Sequence, residues 1–326
     1  MQLREFVRLF THIQLLPVLE NGEETTLIGG QAVMEGVMMR SPHSYCVAVR
    51  EPNGEIVSES HELPRLADRH PMLKAPFVRG VATLGHAMWL GMKALKFSAD
   101  CALGELTERG KPGAGARVPM ALNVLFSVGF FIVFYKLVPL YLATLLGKAV
   151  PQVGSRFAIN MVDGAIRIGF LLAFLFLLSR VKDIHRLFEF HGAEHKVVFN
   201  YESGELVNVA NAQRFPTWHP RCGTSFLLVL MVLAMLFYAF LPFDSFWAKF
   251  AARIALLPVI VGVSYEIIRF AAKRRGGLMA ALTQPGLWLQ RITTQPPSDE
   301  QTEVAIHALE RAMEMERAQG GVLMIA

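Results

Sequence analysis

Charge is what this chain has least of. Only 18% of its 326 residues are Asp, Glu, Lys or Arg, while 53% are hydrophobic. Soluble domains carry about a quarter charged residues. The deficit is uneven, because residues 1–117 and 269–326 read as ordinary soluble sequence and the apolar excess lies between them. Cysteine is also scarce. Cys46, Cys101 and Cys222 are too few and too scattered for a disulfide framework, which points to a reducing compartment. The first eight residues, MQLREFVR, lack the apolar core and small-residue cleavage site of a signal peptide. No Arg-rich stripe interleaved with aromatics accompanies the net charge of +5, so a nucleic-acid partner is set aside. No internal repeat or low-complexity tract is present either.

What the chain does have is long apolar runs. Residues 223–241 contain no charge and match the roughly 20 residues that a bilayer core needs. Residues 118–135 are nearly as apolar and end at Lys136, which can snorkel to the interface; residues 137–146 continue past Pro139 as a kinked or interfacial extension. Residues 166–179 contain Arg167, and residues 254–270 contain Pro258 and Glu266. Each of these two is short, and gains length if its charged group faces protein or the interface.

Lys and Arg near the ends of the runs set the expected orientation. The loop between the second and third runs carries Arg180, Lys182, Arg186, Lys196, Arg214 and Arg221. Arg109, Lys111 and Arg117 precede the first run, and Arg269, Lys273, Arg274 and Arg275 follow the last. The opposite loops hold only Lys148 and Arg156, and Lys249 and Arg253. Both termini and the central loop are therefore predicted to be cytoplasmic. The expected plan is a cytoplasmic region over 1–117, two spans over 118–180, a His-rich cytoplasmic loop over 181–222, two spans over 223–270 and a tail over 271–326.

Within the soluble parts, residues 45–50 and 55–60 flank Pro52-Asn53-Gly54, a strong β-hairpin signal. The preceding segment, IGGQAVMEGVMMR over 28–40, suggests unusual backbone geometry at its glycines. It is not a phosphate-binding loop, since no Gly-Lys-Ser/Thr follows. Residues 76–102 read as a helix mixing apolar and basic positions, suited to the membrane interface or to packing on the hairpin. Ser298 and Gln301 fit a capping box that opens a C-terminal helix, with Ala305, Ala308, Leu309, Ala312 and Met313 on one face. That helix is read as a packing or oligomerisation element that stops near Gly320-Gly321.

The central loop carries the chemistry. His191 and His195 are four residues apart and share a helix face, with Glu194 beside them. This spacing lets two imidazoles bind one metal ion while a carboxylate reaches a water on it, and H-x-x-E-H is the inverzincin arrangement. His219 and Cys222 add an imidazole and a thiol three residues apart. Four of the ten histidines, with His185, fall between 185 and 222. Zinc or another divalent metal favours such N and S donors. Four protein ligands make a closed, structural site; with one position open, Glu194 becomes a general base for hydrolysis. A Cys222 that binds no metal becomes a nucleophile. A histidine near a membrane is more often an ordinary hydrogen-bonding residue, and only the combined set favours metal.

Four other ionisable residues are weighed as secondary candidates. Glu266, inside the fourth apolar run, pairs with Arg167 or Lys136 or adds a metal ligand. Glu202 is a weaker candidate. Glu35 and Arg40 are expected to form an ion pair that steadies the glycine-rich turn.

GGQAVMEGVMMR (29–40), FHGAEHK (190–196), HPRCGTSF (219–226) and PGLWLQRITT (285–294) together resemble the YqhQ-type bacterial membrane proteins, the family called domain of unknown function 1385. The likeness runs from about residue 27 to 312 with the four motifs in order. The resemblance implies a bacterial cytoplasmic membrane and a predicted metal-dependent enzyme without an established substrate. The expected protein is thus a polytopic α-helical membrane protein of about four spans, with a small cytoplasmic α+β domain. The expected function is zinc-dependent hydrolysis at the cytoplasmic face, with the bilayer as partner and a homo-oligomer left open. A scaffold with a closed metal site is the first alternative. A small transporter built around Arg167 and Glu266 is the second, and it would need an oligomer to enclose a cavity.

Overall fold

Side-chain alternation along residues 44–50 explains how the soluble layer is built. Tyr45, Val47 and Val49 point to one side and Cys46 and Ala48 to the other, and all five are buried. A strand buried on both faces must lie inside a sheet covered on both sides. The computed structural model, which describes residues 28–63, 71–102, 126–127, 129–219, 222–273 and 277–319, has this arrangement. A four-stranded antiparallel meander runs in the order β1 (Gly29–Val33), β2 (Gly36–Arg40), β3 (Ser44–Arg50) and β4 (Ile56–Glu62). The Asn53-Gly54 turn joins β3 to β4, with Gly54 at φ 90°. The glycine-rich segment is itself a hairpin. Its two-residue turn places Glu35 at φ 52°, and a Cβ on the following Gly36 would lie 2.2 Å from the Ala48 carbonyl oxygen.

Helix α1 (Val78–Ala102) covers one face of the sheet through Leu90, Ala94 and Cys101, and leaves Met88, Trp89 and Met92 exposed on its far side. After it come α2 (Val138–Ala149), which continues a π-helical turn over Ile132–Leu137, and α3 (Arg156–Leu178). The other sheet face packs on α4 (Lys182–Glu202), the central-loop helix, and on the C-terminal helix. The short α5 (Val209–Ala212) follows, then α6 (Gly223–Ala239), α7 (Phe246–Ala255), α8 (Leu257–Lys273) and α9 (Gly277–Thr293). Helix α10 (Asp299–Ala318) begins at Ser298. Gln301 N–H donates to the Ser298 hydroxyl and Ser298 N–H to the Gln301 side chain, the expected reciprocal box, which contributes about 1 kcal/mol. Ala305, Ala308, Leu309, Ala312 and Met313 are all buried against sheet and α4.

The protein is mostly helical, and its candidate spans number two to three rather than a clear four. Gly129–Ala149 and Arg156–Leu178 are long and apolar enough to cross a bilayer. The first continues past the end of the expected 118–135 run to Ala149, passing Pro139 directly after the π-helical turn over Ile132–Leu137. Residues 118–125 of the expected run fall outside the described residues. The second is 23 residues long and takes in Arg167, which lies buried against protein. Phe246–Ala255 and Leu257–Phe270 make a third candidate only as one span bent by 48°. The uncharged run at 223–241 forms α6, an apolar helix of 17 residues at the short end of what a crossing needs. An apolar run guarantees burial in something apolar, and here protein neighbours supply part of it: α6 packs on α3, α8 and α9.

Candidate metal centre

Helix α4 places His191, Glu194 and His195 on one face, as an i, i+3, i+4 set must be. Two carbonyl oxygens fix the imidazoles. His191 Nδ1 donates to the Thr293 carbonyl at 2.7 Å, and His195 Nδ1 donates to the Thr217 carbonyl. With each Nδ1 carrying the proton, each Nε2 presents a lone pair, which is the tautomer a metal ligand needs.

Both carbonyls arrive for local reasons. Residues 293–295 cross α4 where it has no side chain: a Cβ on Gly192 would lie 2.0 Å from the Gln295 carbonyl oxygen, and Gln295 N–H donates to the Phe188 carbonyl. The 213–219 loop is held by the buried Lys196 ammonium, which donates to the carbonyls of Gln213 and Phe215 at 2.7 Å each.

Cys222 is brought to this face by α6, of which it is the N-cap residue. Its Sγ lies 3.3 Å from His191 Nε2 and 3.2 Å from the Thr224 hydroxyl. The positive end of a helix favours negative charge, so a thiolate ligand suits that position. One donor atom each from His191, His195 and Cys222 fall within 4.8 Å of one another. Glu194 Oε2 is 3.9 Å from His191 Nε2 and 3.7 Å from His195 Nε2. The carboxylate is buried and accepts the Gly30 backbone N–H, and a Cβ on Gly30 would meet the Glu194 Cγ at 2.7 Å. That contact accounts for the second glycine of the Gly29-Gly30 pair.

His219 stands beside this trio. Its ring centroid is 5.7 Å from that of His195, and its Nε2 is 3.4 Å from Glu202 Oε2. Gln290 clamps its backbone, accepting from His219 N–H at 2.7 Å and donating to His219 O at 2.9 Å. Burial pushes the His219 imidazole down to about 4, lowers His195 as well and raises the Glu194 carboxyl. Neutral imidazoles are the form that ligates. Two nitrogens and one sulfur, pre-oriented around one point, fit zinc-class donor chemistry.

The secondary candidates separate. Glu202 reaches the site through His219. Glu266 is held instead by Arg79 of α1, with Nε 2.6 Å from Oε1 and a second contact from Nη2, so neither Arg167 nor Lys136 is its partner. Glu35 pairs with Arg186 of α4 rather than with Arg40. Glu35 sits at the turn and Arg40 at the far end of β2, which separates them by the length of that strand. Arg40 is half-buried near Tyr265 and His86.

The sequence matches the family described as "Protein of unknown function (DUF1385)" over residues 75–315. The chain belongs to that family. It is 36% identical over 302 residues to "Uncharacterized protein YqhQ" of Bacillus subtilis (strain 168), covering 88% of this chain and 92% of that protein. No solved structure matches it.

Sequence reasoning missed the supporting residues Thr217, Thr293, Gly192 and Gln290, whereas Gly30 is among the glycines it marks for unusual backbone geometry or close approach. A glycine inside an otherwise good helix, as in His191-Gly-Ala, was the one available signal, since glycine there costs stability unless something approaches closely.

Proposed function

We propose that the protein is a metal-dependent hydrolase of the bacterial cytoplasmic membrane, with His191, His195 and Cys222 holding a zinc-class divalent ion. The reading rests on one observation above the rest, the convergence of two Nε2 atoms and one Sγ with both Nδ1 protons committed to backbone carbonyls. When bound, such an ion supplies Lewis acidity toward a water or toward a carbonyl or phosphoryl oxygen. Glu194 Oε2 takes the proton of the attacking water, being beside both imidazoles and held by the Gly30 N–H. His219, joined to Glu202, borders the same space and orients or donates to the substrate. The four-span topology with cytoplasmic termini belongs to this proposal, and it places the centre at the inner membrane face.

The scaffold alternative makes His219 a fourth ligand, and its position next to His195 is what favours it. Cobalt(II) substitution of the purified full chain separates the two readings. The expected result is about one metal per chain and a thiolate-to-cobalt absorption band that Cys222→Ser removes. Added azide should then perturb the spectrum, because one coordination position is open. Azide without effect would make the site closed and structural. No metal bound by the wild type, or an equal load in His191→Ala, would end the metal reading.

A further inference from the structure

A second polar cluster lies far from the metal centre, among the most apolar helices. Asp163 and Arg167 sit one turn apart on α3 and pair at 3.1 Å. Arg253 of α7 reaches the other oxygen of Asp163 at 3.0 Å and also bonds Asn160. Tyr238 of α6 lies among the cations, its ring centroid 5.1 Å from the Arg253 guanidinium, 5.5 Å from that of Arg167 and 5.7 Å from Lys136 Nζ. All these charged side chains are buried. Asp163, the one acid of the cluster among the described residues, is therefore shared by two guanidiniums. Lys136 Nζ lies over the ring faces of Tyr135 and Tyr238. Arg167 Nε and Arg253 Nε are buried without a hydrogen-bond partner among the described residues.

A buried charge in apolar surroundings is costly unless paired, so an excess of cations with unfilled N–H groups implies a counter-charge that arrives from outside. There is room for one. Arg167, Lys136 and Asp163 form the polar end of a cavity of about 580 Å³ between the first two candidate spans and α6. Its remaining wall is apolar and aromatic, with Phe131, Phe134, Phe170, Phe174, Leu227 and Leu230. Several of those phenylalanines are open on their outer side.

We propose that this cavity binds a lipid phosphate, with the phosphate on Arg167 and Lys136 and the hydrocarbon chain along the phenylalanine wall. The two halves of the cavity select the two halves of such a molecule. A guanidinium and an ammonium match a phosphate oxyanion, and the apolar wall rewards a chain that free phosphate lacks. The proposal is independent of the metal centre, since none of its residues touches that site.

The test uses full-length protein in nanodiscs of dioleoylphosphatidylcholine doped with dioleoyl phosphatidic acid. Lipid retained on release into the gas phase is measured by native mass spectrometry. Wild type should retain phosphatidic acid over phosphatidylcholine. Lys136→Gln should weaken that preference about tenfold or more, as the loss of one charge-assisted hydrogen bond does. Leu171→Trp, which fills the apolar end and leaves the charges intact, should do the same, and a thermal melt confirms that each variant is folded. Equal retention of both lipids by wild type, or folded variants that retain phosphatidic acid unchanged, would overturn the proposal. Inorganic phosphate displacing phosphatidic acid at low millimolar concentration would overturn it as well, because the site would then be one for a small anion.

Discussion

The two buried polar clusters solve the same problem in opposite ways. Around His191 and His195 the ring N–H groups end on carbonyls, Lys196 is held by two more, and Gln290 closes both sides of the His219 peptide. Around Asp163 two guanidiniums share one carboxylate, and among the described residues the Nε atoms of Arg167 and Arg253 are buried without a hydrogen-bond partner. In the first cluster the unsatisfied capacity is lone pairs, two nitrogens and a sulfur facing one point, and lone pairs call for a cation. In the second it is N–H donors and positive charge, which call for an anion. Burial makes leftover capacity expensive in both places, so the sign of what is left over identifies the kind of partner.

Substitutions can sharpen that contrast, and the largest effect belongs to the membrane cluster. Asp163→Asn removes the one carboxylate between Arg167 and Arg253 and leaves two buried guanidiniums uncompensated. It should cost about 3–5 kcal/mol of stability, measured by thermal or denaturant unfolding in nanodiscs. A loss below about 1 kcal/mol would mean that the cluster is far more hydrated than its burial implies.

At the proposed metal centre, Gly192→Ala drives a methyl into the Gln295 carbonyl and displaces the strap that carries Thr293. With the Thr293 carbonyl gone from His191 Nδ1, metal affinity should fall roughly 10–100-fold, read by competition with a chelating dye. Unchanged affinity would show that the carbonyl does not set the ring.

Glu316 is a third case, a buried carboxylate satisfied by donors from the turn between β2 and β3. It accepts from the Ser41 hydroxyl at 2.6 Å, His43 N–H at 2.9 Å and His43 Nδ1 at 2.7 Å, tying α10 to the sheet. Burial pushes its carboxyl up, but the Ser41 and His43 bonds outweigh that and hold it below its ordinary 4.5. A depressed carboxyl stabilises the fold above its unfolded value, and that contribution is lost as pH falls through the folded value. Glu316→Gln should therefore cost about 1–3 kcal/mol at pH 7 and flatten the acid limb of the stability curve. An acid limb identical to wild type would assign the acid sensitivity elsewhere.

The smallest effect is a reactivity difference among the thiols. Burial raises the Cys101 thiol to about 11 and raises Cys46 too, and both are fully enclosed. Maleimide at pH 8 should modify Cys222 alone, and zinc should protect it, as peptide mass spectrometry will read out.

How much of this was legible beforehand depends on whether a residue's role is local. The Asn53-Gly54 turn and the Ser298/Gln301 cap depend on neighbours within three residues, and pattern reading finds them. The pairing of His191 with His195 is likewise a matter of helical spacing. Two to three candidate spans stand where the sequence suggested about four, because hydropathy cannot say whether lipid or protein covers an apolar face, and part of α6 packs on α3, α8 and α9. Glu35 and Arg40 looked like partners because they are close in the chain, but the extended β2 holds them apart. Asp163 escaped notice although its i, i+4 spacing to Arg167 was readable.

Composition and periodicity by themselves determined that this chain carries apolar helices compatible with a membrane, a sheet hairpin and a capped terminal helix, and that His191 and His195 share one helix face. The tertiary structure alone decided that Cys222 meets His191 across 31 residues of chain, that Thr293 and Thr217 lend their carbonyls, and that Arg253 shares Asp163 with Arg167. The physical reason is range: turn and helix preferences act over one to four residues, whereas a ligand set or a charge cluster exists only once packing has brought distant segments within hydrogen-bonding distance.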